Sequence, residues 1–258
     1  MQFQDDNLTV RLAETDRDLH AAQRLRYRVF VEELGGDGPG VDHGARLERD
    51  AFDPHCAHLL LIDKTRDAAA FEDVVGVYRL LTEEGAADAG QFYTETEYDL
   101  SLLKSSGRRL LELGRSCLHV EHRGGTGMLR LWQGLSDFVQ TREIEVLFGV
   151  ASFHGTDVEA LAEPLSLLYH RHLAPEALRV RARVHQPMDL KTPDQINRLA
   201  ALRATPALIK AYLRLGGCVG DGAYIDHAFN TTDVCLVMDT AQMSEAHRAI
   251  YARTKASS

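Results

Sequence analysis

The stretch Leu111-Glu112-Leu113-Gly114-Arg115-Ser116-Cys117-Leu118-His119 is followed, three residues later, by Arg123-Gly124-Gly125-Thr126-Gly127. No other part of the chain constrains its fold as much. The first piece alternates like a half-buried strand and carries Glu112 and Arg115 among apolar residues. The second is a glycine-rich turn, and Met128 to Gln140 after it has the spacing of a helix. A strand leading through glycines into a helix N-terminus makes a place to hold a phosphate. Backbone N–H groups converge there, and glycines let the backbone approach closely. A carboxylate and a guanidinium beside such a turn suit the handling of an amine. Together these features imply an enzyme that moves a group off a phosphate-bearing carrier.

The chain has 258 residues, enough for one large domain or two small ones and for a substantial core. No apolar run approaches the roughly 20 residues needed to span a bilayer. The polar, acidic start Met1–Asp6 does not resemble a signal peptide, so a cytoplasmic protein is expected. A net charge of -9 argues against nucleic acid as a partner. The four cysteines (Cys56, Cys117, Cys218, Cys235) form no CxxC, and three lie in apolar, strand-like contexts, which points to free thiols. His55/His58, His119/His122 and His170/His172 vary in spacing and lack an HExxH, so no metal is expected. The absence of GxSxG argues against a serine hydrolase.

Along the chain, Leu8–Ala13 reads as a strand. Thr15-Asp16-Arg17-Asp18 reads as a cap for a helix from Asp18 to Leu34, whose apolar face is Leu19, Ala22, Leu25, Val29 and Phe30. A polar loop then runs to about Ala57, long enough to be functional. His58–Asp63 and Val74–Leu81 form a hairpin pattern. A strand over Arg108–His119, a helix over Gly125–Arg142, a strand over Val146–Ser152 and a helix over Val158–His172 follow. Arg179–Val184 alternates. Pro193–Leu215 is helical in two pieces broken near Pro206. Cys218–Asp226 and Thr232–Asp239 close the sheet, and a last helix covers Ser244–Thr254. This order is α+β, or mixed α/β, rather than a regular doubly wound sheet.

The glycine turn with Gly125-Thr126-Gly127 resembles the pyrophosphate loop of the Gcn5-related N-acetyltransferase superfamily. Arg26-x-x-x-Phe30, Glu48-x-Asp50-x-x-Asp53, Arg79 and Glu112-x-x-Arg115 resemble the signature of the acyl-homoserine-lactone synthases. The tryptophan which that family carries after its first-helix phenylalanine is absent, the chain's one tryptophan being Trp132. The resemblance that covers nearly the whole chain is to the bacterial ornithine N-acyltransferases. It rests on Leu25-Arg26-Tyr27-Arg28-Val29-Phe30, Phe52-Asp53-Pro54-His55-Cys56, Leu111–Ser116, Leu147–Phe153, Gly220-Asp221-Gly222-Ala223 and Phe229–Val234.

That resemblance implies a single acyltransferase domain over residues 1–258, with a central mixed sheet flanked by helices and a C-terminal extension from about residue 185. It implies transfer of a 3-hydroxyacyl group from acyl carrier protein to the α-amine of L-ornithine, giving lyso-ornithine lipid. No cofactor is permanently bound; the 4'-phosphopantetheine of the carrier brings the acyl group. Arg123, Gly124, Gly125, Thr126 and Gly127 are then expected at its phosphate. Glu112 is the candidate base, in an apolar setting where burial raises a carboxyl pKa. Arg115 is placed beside it, and Tyr169 is the candidate proton donor to the leaving thiolate. Arg26, Phe30, Asp50, Asp53 and Arg79 are expected around the acceptor. A backbone N–H near Leu118 to Val120 is expected to stabilise the oxyanion. The basic groups Arg108/Arg109, Arg123/Arg130 and Arg179/Arg181/Arg183 offer docking for an acidic carrier. Pro206–Leu215 is amphipathic, a pattern compatible with a membrane surface as well as with a packed helix. Two other functions remain open: a homoserine-lactone or other N-acyl-amino-acid synthase, and a non-catalytic module that binds acylated carrier.

Overall fold

The computed structural model describes residues 7–242. In chain order they form β1 (Leu8–Leu12), α1 (Asp16–Arg26) continued by a π-helical turn (Tyr27–Glu33), β2 (Val41–Asp42), β3 (Leu47–Glu48), β4 (Ala57–Asp63), β5 (Val74–Thr82) and α2 (Glu83–Ala89). Then come β6 (Tyr98–Asp99), α3 (Ser101–Lys104), β7 (Leu110–Leu118), α4 (Gly127–Thr141), β8 (Val146–His154), α5 (Ala162–His172) and β9 (Arg181–Ala182). The rest are α6 (Arg198–Ala204), α7 (Ala207–Arg214), β10 (Cys218–Val219), β11 (Tyr224–Asp226) and β12 (Thr231–Asp239). Met1–Asp6 and the expected helix Ser244–Thr254 lie outside the described residues. The chain divides into two compact units, one of residues 1–89, 113–143 and 249–258, the other of 90–112 and 144–248. The boundary falls inside β7.

In the first unit β1, β4 and β5 are antiparallel neighbours. Successive side chains of a strand point to opposite faces, and β4 shows the consequence. Leu60 and Ile62 pack with Ala21, Ala22, Leu25 and Val29 of α1 and its π-helical continuation. Leu59 and Leu61 lie under Gly134 and Gly127 of α4. The sheet is thereby covered by α1 on one side and α4 on the other. His58 pairs with Arg79 in register, so both side chains share the α1 face. Thr15 caps α1, its hydroxyl accepting from the Asp18 N–H at 3.2 Å. The expected single helix to Leu34 changes winding at Tyr27, where the wider π turn begins. Nothing in the apolar spacing marks that change, and such turns recur at functional sites.

In the second unit β7 runs parallel to β8, with Glu112 opposite Phe148. β8 is antiparallel to β12 along its whole length, and β12 also receives β10 and β11. The expected closing strand pair is thus one long strand and two short ones. The expected strand Arg179–Val184 shortens to β9, yet its alternation holds: Leu178, Val180 and Ala182 are buried, while Arg179, Arg181 and Arg183 are exposed. The helical break at Pro206 is present between α6 and α7. Both parallel and antiparallel pairings occur, as expected of a mixed α+β fold.

Candidate active site

Arg26, Asp50, Asp53 and Arg79, all expected around the acceptor, meet Arg115 in the first unit, on the α1 face of the sheet. Arg26 is the last residue of α1 and is fully buried. Its Nε donates to Glu48 Oε2, and its Nη1 donates to Asp53 Oδ1 at 2.7 Å. Arg79, buried on β5, donates to Asp50 at 2.6 Å and to Asp53 at 3.0 Å. Arg115 donates from Nε to Glu48 Oε1 and from Nη2 to Asp50 Oδ2, both at 3.0 Å. Gln23, three residues before Arg26 on the same helix, binds the other oxygen of Asp53 at 2.9 Å. The ring of His58 reaches the Asp53 carbonyl at 3.0 Å.

Charge balance decides the protonation of this network. Burial pushes the Asp53 carboxyl up, but Arg26 and Arg79 outweigh it and hold the group well below the usual carboxylate range. The same contest lowers Glu48 through Arg115 and Arg26, and Asp50 through Arg79 and Arg115. Burial works against the charge of Arg26, and Glu48 and Asp53 more than offset it. Three guanidinium groups therefore face three ionised carboxylates. Arg26, Glu48, Asp53 and Arg79 are buried, whereas the side chains of Asp50 and Arg115 stay 19% and 14% exposed. The buried four can orient; the outer two can meet a ligand.

Arg115 owes its direction to its backbone. Its φ of 50° is left-handed, which is rare for a non-glycine residue inside a strand. Strain of this kind persists only where surroundings over-determine it, and two carboxylates do so here. Phe30 is half-buried and packs on the cluster of Ala21, Leu25, Leu60 and Val77.

The glycine turn opens α4, and no side chain caps that helix. Its three glycines have different causes. Gly124 adopts φ +74°, a Cβ on Gly125 would face open space, and a Cβ on Gly127 would lie 2.9 Å from the His122 carbonyl oxygen. The Arg123 side chain folds back instead of reaching over the turn. Its Nε donates to the Leu118 carbonyl at 2.9 Å and its Nη2 to Glu33 at 2.6 Å. The Arg123 side chain is thus directed away from the turn, where Gly125 faces open space. Of the N–H groups considered for the oxyanion, that of His119 is committed to the Val75 carbonyl at 2.8 Å.

Glu112 and Tyr169 belong to the second unit. Glu112 is buried, and both its oxygens accept hydrogen bonds. Oε2 takes the Tyr93 N–H at 2.8 Å; Oε1 takes the Thr94 N–H at 2.6 Å and the Thr94 hydroxyl at 2.5 Å. These donors come from a 3-10 turn, Tyr93–Thr96, which no apolar periodicity in the sequence marks. Tyr169 is half-buried on α5, its ring edge-on to His170 with centroids 5.3 Å apart. Elsewhere in this unit Glu97, Asp226 and Asp233 bring one carboxylate oxygen each within 4.8 Å of the others.

Several expected clusters are drawn onto the protein's own surface. Arg108 grips Asp239 with bonds of 3.0 and 2.7 Å, and Arg181 faces Asp221 at 3.7 Å. His119 and His122 have ring centroids 6.2 Å apart, and His170 binds the Lys191 carbonyl at 2.9 Å. Burial pushes the Cys117 thiol up to about 12 and the Cys218 thiol up to about 11, so neither is a nucleophile near neutral pH.

Residues 25–133 match an acetyltransferase (GNAT) domain. The chain is 60% identical over 244 residues to an L-ornithine N(alpha)-acyltransferase of Rhodobacter capsulatus, covering 95% of this chain and 94% of that protein. It is 42% identical over 249 residues to the L-ornithine N(alpha)-acyltransferase of Brucella abortus, covering 95% and 89%. Among solved structures, FeeM, an N-acyl amino acid synthase from uncultured soil microbes, superposes with a TM-score of 0.55 at 10% identity, covering 93% of this chain and 97% of that one. The acyl-homoserine-lactone synthase LasI superposes with a TM-score of 0.51 at 16% identity, covering 95% of each. These two establish a shared fold. At these identities over nearly the whole length of both chains, the chain belongs to the L-ornithine N(alpha)-acyltransferase family and is an acyltransferase of the GNAT fold.

Proposed function

We propose that this enzyme transfers a 3-hydroxyacyl group from acyl carrier protein to the α-amine of L-ornithine, yielding lyso-ornithine lipid. The observation that carries the acceptor is the 60% identity to a relative of that name over nearly the whole chain. The carrier as donor is favoured by the open, uncapped glycine turn at the start of α4. There the backbone of Gly124–Gly127 would receive the phosphate of 4'-phosphopantetheine.

The reaction forms an N–C bond to the thioester carbonyl and breaks the C–S bond. One proton must leave the amine and one must reach the departing thiolate. Glu112 is assigned the first transfer and Tyr169 the second. Asp50 and Arg115 are assigned to the acceptor, because an amino acid presents both an ammonium and a carboxylate. Arg79 holds Asp50 and Glu48 holds Arg115, while Arg26 and Asp53 brace Glu48 and Arg79 behind them.

The test is mass spectrometry of products from the purified protein given 3-hydroxyacyl carrier protein and a pool of amino acids. A single acyl-ornithine mass is expected. A different acyl-amino acid would keep the chemistry and replace the acceptor. Carrier binding without any product would favour a binding module.

A further inference from the structure

The surface of α6 differs from the rest of the molecule. Leu199 is 59% exposed and Leu202 is 40% exposed, one turn apart on a single helix. The other large apolar residues of comparable exposure, such as Leu34, Leu102 and Val120, stand singly on separate elements. Away from these leucines, Ala201 of α6 is buried, as is Thr205, which caps the helix. At 3.6 residues per turn, Arg198, Leu202, Leu199 and Arg203 follow one another around the outward face. A pair of leucines is therefore flanked by a cation on each side.

Charge sets this face apart as well. The chain carries a net charge of -9, yet Gln195 to Gly220 contains Arg198, Arg203, Lys210 and Arg214 and no Asp or Glu, and Glu163, which accepts from the Asn197 N–H at the start of α6, is paired with Lys191. Most arginines of the first unit are neutralised by carboxylates, as Arg11 is by Asp18 and Arg46 by Glu32. Among the described residues neither Arg198 nor Arg203 makes an ion pair. The neighbouring α7 buries Ile209 and Tyr212, so its apolar face is spent on the core, and of these two helices α6 carries the exposed leucines. None of the described helices is long and apolar enough to cross a membrane.

We propose that α6 docks this enzyme on an anionic lipid surface, with Leu199 and Leu202 entering the headgroup boundary and Arg198 and Arg203 meeting lipid phosphates. Two leucines and an acid-free cationic run match that partner in both polarity and charge. A protein partner that was merely acidic would give the leucine pair nothing to enter. The proposal does not depend on which amino acid is acylated.

The experiment is co-sedimentation of the full chain with vesicles of phosphatidylcholine alone or mixed with phosphatidylglycerol, at low and high salt. Binding is expected to the anionic vesicles at low salt and to be released by high salt. Arg198→Gln with Arg203→Gln is expected to lower it about thirtyfold, and Leu199→Ser with Leu202→Ser to lower it several-fold. Both double variants should keep the wild-type circular dichroism spectrum and turnover with soluble 3-hydroxyacyl carrier protein in the absence of vesicles. Equal binding to neutral vesicles, or binding unchanged in both variants, would overturn the proposal. So would a dimer seen by light scattering that the leucine variant dissolves, since the face would then join two copies. A raised KM for acyl carrier in the arginine variant, with vesicle binding intact, would assign the face to the carrier instead.

Discussion

Arg115 Nε lies 3.0 Å from Glu48 Oε1, while the other oxygen of the same buried carboxylate is held by Arg26. One carboxylate thus ties the end of α1 to a left-handed residue of β7. Removing its charge leaves two guanidinium groups short of a partner, one of them fully buried. Uncompensated buried charge is far costlier than a broken surface pair. Glu48→Gln is expected to destabilise the protein by about 3–5 kcal/mol. Asp42→Asn, which breaks the exposed pair with Arg49, should cost under about 1 kcal/mol. Urea denaturation of the two variants checks the contrast.

The network also sets the pH dependence of stability. Glu48, Asp50 and Asp53 have pKa values lowered on folding, so the unfolded chain binds more protons in acid. Their contribution is present above the unfolded carboxylate value of about 4 and is lost as pH falls below it. His58, held neutral by burial, acts in the same direction but earlier. Its contribution is full above the unfolded value of about 6.5 and declines as pH falls through it, by at most about 1.4 kcal/mol per pH unit. Denaturation midpoints measured from pH 8 down to pH 2 should therefore fall in two stages, and His58→Gln should flatten the first.

Two glycines of the turn before α4 should separate packing from function. Gly127→Ala places a methyl 2.9 Å from the His122 carbonyl oxygen and 3.3 Å from Leu61. It should cost about 1–3 kcal/mol in a thermal or urea melt. Gly125→Ala meets nothing within 4 Å and has no left-handed backbone to strain. It should melt like wild type, and any rise it causes in KM for the acyl carrier would locate the phosphate at this turn.

Glu112→Gln is not an innocent substitution. Both oxygens of Glu112 accept from backbone N–H groups, so the amide NH2 of glutamine must face a donor. A stability loss of about 1–3 kcal/mol is expected from that mismatch alone. Thr94→Val removes only the hydroxyl bond to the same carboxylate and serves as the structural control. If Glu112 is the base, kcat of Glu112→Gln should fall about 10²–10⁴-fold at a temperature where both variants are folded. A drop no larger than that of Thr94→Val would restrict Glu112 to holding the 3-10 turn.

Local pattern determined much of this protein. The alternation of Leu111–His119, the glycines ahead of α4, the apolar spacing of α1 and the break at Pro206 are short-range signals, and each marks an element that is present, although α1 gives way to a π turn at Tyr27. The charged residues Arg26, Asp50, Asp53, Arg79 and Arg115 were legible as a set through motifs, because their spacing within each segment is short. What tertiary structure alone decided is who holds whom. Glu48 lies in the loop motif yet becomes the hub of two arginines, through a left-handed turn of the backbone at Arg115 that no propensity predicts. The 3-10 turn that clasps Glu112 carries no apolar periodicity, so nothing in Tyr93–Thr96 announces that its N–H groups point at a carboxylate eighteen residues downstream of Thr94. Arg123 reads as a phosphate ligand by position but is drawn to Glu33, a residue 90 positions away. Hydrogen-bond geometry and burial depend on contacts far apart in the chain, and the sequence encodes these only through the completed fold.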